Sequence, residues 1–460
     1  MSGAGAMMSL SQAALAIGGK LQGEDAVFAA VSKDTRTLAK DDLYVALKGE
    51  NFDGHAFLDQ AAELGAVGAL VSDTQSMSLP QICVDDTRIA LGNLAAEWRR
   101  QFKGKLVAIT GSNGKTTVKE MCRAILLAAV GKDRVLSTQG NLNNDIGMPM
   151  TLLSIREQHD YAVIEMGANH VGEINYLTHI AKPDVAVITN AGPAHLEGFG
   201  SIEKVAQAKS EIYGGLAANG TAIINADDDY AGYWHQVCQG KNIVTFSMKD
   251  KNTDVYAEAV GSDSYVFKTA SGDMNIAMKL PGRHNVMNAL AATAVALVLD
   301  VSLANIVSGL QSFSSVSGRL NIQQGLNGAR IIDDSYNANP LSLNAAIDVL
   351  TEMNGESYLV LGDMAELGES ADALHFEAGQ HAKRCGVNKL YALGDLSRNS
   401  VEGFGEGAEH FEDRDGLIKA LIENMNGSTT VLVKGSRSMA MENVVKALIL
   451  DNKNNKQRAN

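Results

Sequence analysis

Hydrophobic residues in this chain fall in short unbroken runs that stop abruptly at polar positions, and between the runs apolar residues recur at helical spacing. Runs at residues 106–109, 161–164, 185–188 and 222–224 lack polar alternation. That pattern predicts strands covered on both faces of a largely parallel sheet. Met121, Cys122, Ile125, Leu126 and Leu127 predict a helix after the first run, and Pro281-Gly282-Arg283-His284-Asn285 predicts the start of an alanine-rich helix over about residues 286–299. The polar residues just past the later strands are Glu165, then Asn190 and His195, then Asn225, Asp227 and Asp228. Open α/β sheets bind ligands at this carboxyl edge, so the clustering is a chemical signal as well as a boundary.

A second series begins near Gly318. Runs at residues 330–332, 358–361, 390–393 and 431–433 end at Asp333-Asp334, Gly362-Asp363, Gly394-Asp395 and Lys434-Gly435-Ser436, with helical patterns between them. This predicts another doubly wound unit whose polar edge can face the first. Ahead of both lies a smaller α/β unit, with a strand at residues 43–47, a turn at Lys48-Gly49-Glu50, a helix at 91–102 and a break at Lys103-Gly104-Lys105. The expected organisation is α/β in three domains: residues 1–103, a central mostly parallel sheet of the P-loop type over 104–317, and a Rossmann-like domain over 318–460. Residues 451–460 read as a polar tail.

With 460 residues the chain exceeds one ordinary core, which agrees with that division. No apolar run approaches the roughly 18 residues that cross a bilayer. Met1, Met7 and Met8 precede the first basic residue, Lys20, so the charged start of a secretory signal is missing and a cytoplasmic location is expected. Cys83, Cys122, Cys238 and Cys385 are scattered, which favours reduced, packed thiols. A formal net charge of −14 argues against a nucleic-acid surface. An anionic substrate would then need a few placed cations, for which Lys115, Arg319, Lys434 and Arg437 are the candidates.

The strongest motif is Gly111-Ser112-Asn113-Gly114-Lys115-Thr116-Thr117, at the end of the run 106–109 and the start of a helix. Glycines let backbone N–H groups curl around phosphate oxygens, Lys115 brings a positive charge to the β and γ phosphates, and Thr116 offers a hydroxyl to magnesium. The usual loop has its first glycine where this chain has Ile109, and Gly111 compensates. Thr116, Glu165 and His195 all lie just past strand ends, and an oxygen-rich set with one imidazole suits magnesium or manganese. Taken singly, Glu165 reads equally as a capping carboxylate and His195 as a loop histidine.

Five segments in order resemble the motifs of the Mur ligases. They are Thr110 through Thr117, the asparagine-rich loop with Asn141, Asn143 and Asn144, His195-Leu196-Glu197, His284-Asn285 with Asn288, and Asp333-Asp334-Ser335-Tyr336-Asn337-Ala338-Asn339-Pro340. The similarity runs from Asp34-Thr35-Arg36 to Lys434-Gly435-Ser436-Arg437-Ser438-Met439 and accounts for the phosphate-loop spacing. It implies an ATP- and Mg2+-dependent amide ligase of peptidoglycan precursor synthesis, working through an acyl phosphate. The run ending at Pro340 and the segment from Gly435 resemble the branch that joins D-alanyl-D-alanine to UDP-N-acetylmuramoyl-tripeptide.

The resemblance assigns Lys115, His195 and Lys209 to catalysis and Gly111 to Thr117 to the phosphates. It assigns Asn285, Asn288, Arg319 and Asp334 to the nucleotide, and Thr116, Glu165 and His195 to metal. Lys209, after His195, is implied to be a carbamylated lysine supporting the metal site. Asp34, Thr35, Arg36 and Lys48 are implied for the uridine nucleotide, and Asn143, Asn144, Lys434, Ser436 and Arg437 for the other substrates. A monomer without nucleic-acid partner or membrane insertion is expected. Two readings compete: a folylpolyglutamate synthetase-like ligase, disfavoured by the Tyr336 to Asn339 run, and a non-enzymatic P-loop switch, which would need neither Glu165, His195 nor a second α/β domain.

Overall fold

The computed structural model describes residues 5–449, so Met1 and the polar tail at 451–460 lie outside the described residues. Three sheets organise the chain. A five-stranded sheet runs in the order Lys20–Gln22, Gln81–Cys83, Gly68–Val71, Asp42–Val45 and Ala30–Ser32, parallel except at its first pair. Asp86 caps the helix Thr87–Gln101 by accepting from the N–H groups of Arg88 and Ile89. Leu91, Leu94 and Ala95 of that helix share one core with Ile174 and Leu177, which cover a face of the next sheet. The first unit is thereby packed against the second through apolar contact rather than held by its linker alone.

The central sheet has nine strands. Its parallel part runs in the order Val135–Ser137, Tyr161–Glu165, Lys105–Thr110, Val185–Ile188, Thr221–Asn225, Asn242–Ser247 and Val255–Ala259. The run at 161–164 extends by one residue, so Glu165 itself ends a buried strand. The helices Lys115–Val130, Arg283–Val298 and Leu303–Ser312 cover one face around Val118, Ile125, Leu290 and Ile306. Ser264–Thr269 and Gly272–Ala277 complete the sheet as an antiparallel extension.

The C-terminal sheet has six strands, ordered Asn321–Gln324, Arg330–Asp334, Thr429–Lys434, Glu356–Gly362, Lys389–Leu393 and Ala408–Phe411. It is parallel apart from the first pair, with separate apolar cores on its two faces. All four cysteines are free thiols. Among the described residues no helix is long and apolar enough to cross a membrane.

Candidate active site

The strand Lys105–Thr110 delivers the chain into a turn that only unusual backbone geometry can make. Gly111 and Gly114 have φ of +153° and +80°, and a Cβ on them would lie 1.8 Å from Thr189 Oγ1 and 2.4 Å from Asn288 Oδ1. Side chains are excluded there by strain and by space. The turn is stitched to the neighbouring strand end: Asn113 N–H donates to Asn190 Oδ1 at 3.0 Å and Asn113 C=O accepts from Asn190 Nδ2 at 3.2 Å. Lys115 folds back on its own loop, with Nζ 2.7 Å from Gly111 O and 3.3 Å from Ser112 O. Burial lowers its pKa, opposed by the Glu165 charge and reinforced by Arg319.

Thr116 and Glu165 meet at the mouth of this turn. The Thr116 hydroxyl donates to Glu165 Oε2 at 2.9 Å, and Asn143 Nδ2 donates to Oε1 at 2.8 Å. Behind them the Glu165 N–H donates to Thr138 Oγ1 at 2.9 Å, while fully buried Lys119 holds Thr138 O at 2.8 Å. The carboxylate is thus fixed from both sides without a cation of its own in contact. A hydroxyl and a buried carboxylate are hard oxygen donors, the set that suits Mg2+. His195 begins the turn Leu196–Phe199 at φ +54°. The Glu366 carboxylate of the C-terminal unit lies against the Nδ1 side of its ring, out of hydrogen-bond alignment. Burial lowers the His195 pKa, favouring the neutral, ligating form.

Lys209 is buried, with Nζ 6.0 Å from the centre of the Phe199 ring. Its pKa is lowered well below the ordinary lysine value, first by burial and then by the charge of Lys115. A neutral amine is the reactive form of lysine.

The C-terminal unit closes the other side of a cleft of about 540 Å³. Asn113 and Asn339 exchange amide hydrogen bonds across it, at 3.2 Å and 2.9 Å. Arg319 donates to Thr116 Oγ1 at 3.1 Å, and its guanidinium carbon lies 4.4 Å from the Tyr336 ring centre. Ser112 to Thr117, Asn143, Asn144, Glu165, His195, Lys209, Asn285, Asn288, Arg319, Asp334, Lys434 and Arg437 all line the cleft.

Lys434 is not the free cation expected from sequence. It is buried, paired with Asp334, and donates to Asn337 O at 2.9 Å. Arg437 is exposed and bridges to Glu442 at 3.0 Å, with its guanidinium 5.9 Å from the Tyr336 ring. Ser436 lies beside the cleft, 3.1 Å from the Ser438 hydroxyl. Asp34, Thr35, Arg36 and Lys48 are not brought to the cleft: Asp34 and Arg36 pair with each other, Thr35 donates to Gln60 at 3.0 Å, and Lys48 faces Asp53 at 3.8 Å. Glu366 and Lys119 were not anticipated. Glu366 carried only the faint signal of standing a few residues past the strand end at Gly362-Asp363.

A Gly-rich strand-to-helix turn, with a buried carboxylate and a hydroxyl beside it, thus faces a second α/β unit across the cleft. Residues 27–99 match the family description "Mur ligase family, catalytic domain", residues 109–296 "Mur ligase middle domain", and residues 318–437 "Mur ligase, glutamate ligase domain". The chain belongs to the Mur ligase family. It is 46% identical to the UDP-N-acetylmuramoyl-tripeptide--D-alanyl-D-alanine ligase of Escherichia coli (strain K12), over 96% of this chain and 98% of that relative. A crystal structure of MurF from Acinetobacter baumannii superposes with a TM-score of 0.90 at 37% identity, over 96% of this chain and 99% of that one. The MurF ligase of Thermotoga maritima in complex with ADP superposes with a TM-score of 0.80 at 29% identity, over 91% and 96%.

Proposed function

We propose that this chain is the ligase that joins D-alanyl-D-alanine to a UDP-N-acetylmuramoyl-tripeptide at the expense of ATP, in peptidoglycan precursor synthesis and in the cytoplasm. The observation that carries this reading is the cleft itself: Lys115 and the N–H groups of a Gly-rich turn lie on one wall, with Arg319 on the other reaching the Thr116 hydroxyl. The full-length likeness to relatives bearing that name selects this acceptor and dipeptide over folate. Proposed domain limits are residues 1–103, 104–317 and 318–460, supported by sheets whose strands fall within 20–83, 105–277 and 321–434.

In this reading the turn from Gly111 to Thr117 holds the triphosphate, Asn285, Asn288 and Asp334 serve the rest of the nucleotide, and Arg319 reaches the phosphate end beside Thr116. Thr116, Glu165 and His195 would hold Mg2+, which when bound neutralises phosphate charge. The γ-phosphoryl group passes to the terminal carboxylate of the tripeptide, giving an acyl phosphate and ADP. The dipeptide amine then attacks the acyl carbon, and the tetrahedral intermediate expels phosphate as the amide forms. Lys115 and Arg319 stabilise the transferring phosphoryl group by charge and position, which is most of what such a transfer needs.

Lys209 is proposed to attack carbon dioxide as its neutral amine, forming the N–C bond of a carbamate as one amine proton leaves to solvent, and the carbamate would support the metal site. Its burial without an anionic partner in contact and its lowered pKa support that step. Asn143, Asn144, Ser436 and Arg437 are assigned to the acceptor and dipeptide. The uridine nucleotide is assigned to Asp34, Thr35, Arg36 and Lys48. A coupled assay tests the whole: phosphate release must require ATP, Mg2+, the nucleotide tripeptide and D-alanyl-D-alanine together. Release with folate and glutamate, or with single amino acids as readily as with the dipeptide, overturns the assignment.

A further inference from the structure

Away from the cleft, the helices Pro340–Glu352 and Ala371–Arg384 of the C-terminal unit bring together an unrelated set of side chains. His381 and Cys385 stand four residues apart on one face of the second helix, and Asp348 faces them from the first. One ligand atom from each of the three lies within 4.8 Å of the others. Cys385 Sγ is 3.5 Å from His381 Nε2. A tetrahedral Zn2+ with bonds of about 2.3 Å to sulfur and about 2.0–2.1 Å to nitrogen would hold those atoms roughly 3.5 Å apart. None of the three lines the cleft.

The geometry points to a second metal site, in which Asp348, His381 and Cys385 bind a borderline-soft divalent cation of the zinc type with solvent in the fourth position. Thiolate and imidazole select such a cation over Mg2+, the reverse of the oxygen set at Thr116 and Glu165. Cys385 caps the carboxyl end of its helix, where backbone carbonyls attract a cation but oppose a lone thiolate, so the thiol gives up its proton only as the metal binds. On binding, a sulfur–metal bond forms and the thiol proton leaves to solvent. Asp348 is exposed and can swing into place, while His381 and Cys385 are half-buried and already adjacent.

Such a cation would bolt the two helices together. The first of them is capped by Asn339, whose amide grips Asn113 of the Gly-rich turn. Clamping its far half therefore stiffens an element that forms one wall of the cleft.

Titration of the full chain with Co2+, in excess Mg2+, tests the site. One equivalent should produce the near-ultraviolet sulfur-to-cobalt band of a thiolate complex, and Zn2+ should displace it. Cys385→Ser should abolish the band, and His381→Asn and Asp348→Asn should weaken binding about tenfold or more, the scale seen even for outer partners of a metal. Cys83→Ser and His195→Asn should leave the band intact. Zn2+ should raise the Tm of the unaltered chain and not that of Cys385→Ser. Absence of the band, or a band that survives Cys385→Ser, overturns the proposal and leaves the thiol–imidazole contact as a hydrogen bond only.

Discussion

The central and C-terminal sheets are both largely parallel and doubly wound, yet their carboxyl edges treat charge in opposite ways. At the central edge Glu165 is held by a hydroxyl and an amide, Lys115 by backbone carbonyls, and Lys209 lies over an aromatic ring. No two of these opposite charges are in contact. At the C-terminal edge Lys434 is paired with Asp334, and Arg437 with Glu442. Asp363 is likewise engaged by the Ser397 N–H at 2.8 Å. Groups kept charged but unneutralised, or neutral but buried, are poised for a ligand, whereas groups that neutralise each other hold a shape. The first edge is built for chemistry and the second for positioning.

Lys115→Ala offers the sharpest way to break this contrast. The side chain contributes little packing, so the variant should melt near the parent temperature while kcat falls by about 10³-fold or more, since charge at the transferring phosphate is lost. A well-folded variant with near-parent turnover would remove the distinction. At the other edge the expected damage is structural. Asp334→Asn leaves the Lys434 ammonium buried without its partner, which should cost about 3–5 kcal/mol in chemical denaturation, while the double change Asp334→Leu with Lys434→Met should recover much of that loss. A stable Asp334→Asn protein whose only defect is in KM for ATP would show that the pair serves binding directly.

The contrast was only half visible along the chain. Glu165 and Thr116 were legible because each follows an apolar run and a run end marks a strand end. The Asp334–Lys434 pair was not, because it arises from parallel pairing of Arg330–Asp334 with Thr429–Lys434, in which those two residues are register partners. Spacing in sequence carries no trace of that register, so Lys434 read as a free cation. The strands from 255 to 269 escaped for another reason: most of their residues are partly exposed, so neither an unbroken run nor clean alternation marks them, and only Gly272–Ala277 alternates, with Met274 and Ile276 buried between exposed neighbours. Glu366 was barely legible because its contact with His195 comes from packing between units. Candidates in the first unit were legible as a cluster, and the distance of that cluster from the ATP cleft was not.

Lys209 lies between the two extremes, and pH separates its roles. With its native pKa depressed by burial, the folded chain binds fewer protons than the unfolded one at neutral pH, so the buried amine destabilises the fold below the ordinary lysine range. In protein stripped of carbon dioxide and metal, Lys209→Met should therefore raise Tm more at pH 7 than near pH 10. The same variant should lose roughly 10²-fold in kcat, the scale of losing one catalytic electrostatic contact. Short carboxylic acids should partly restore Lys209→Ala if a carboxylate is what the site needs. A gain in Tm independent of pH would show that packing, not charge, sets the cost.

The smallest expected effect lies at Arg437, and it probes whether the C-terminal edge touches substrate at all. Unlike Lys434, this side chain is exposed, its ion pair with Glu442 is a surface one, and it lines the cleft beside Tyr336. Surface pairs contribute about 0–1 kcal/mol, so Arg437→Ala should leave Tm almost unchanged. A guanidinium that leaves Glu442 to fork onto the dipeptide carboxylate would make a charge-assisted contact, worth about 1.5–3 kcal/mol when lost. KM for D-alanyl-D-alanine should then rise by about tenfold or more, with KM for ATP unchanged, because the contact is made to the nucleophile and not to the nucleotide. Arg437→Lys should recover only part of the loss, since an ammonium cannot fork onto both oxygens. If the ATP requirement rises instead, the guanidinium acts with Arg319 through the Tyr336 ring on the nucleotide side, and the positioning edge extends further into the chemistry than the ion pairs suggest.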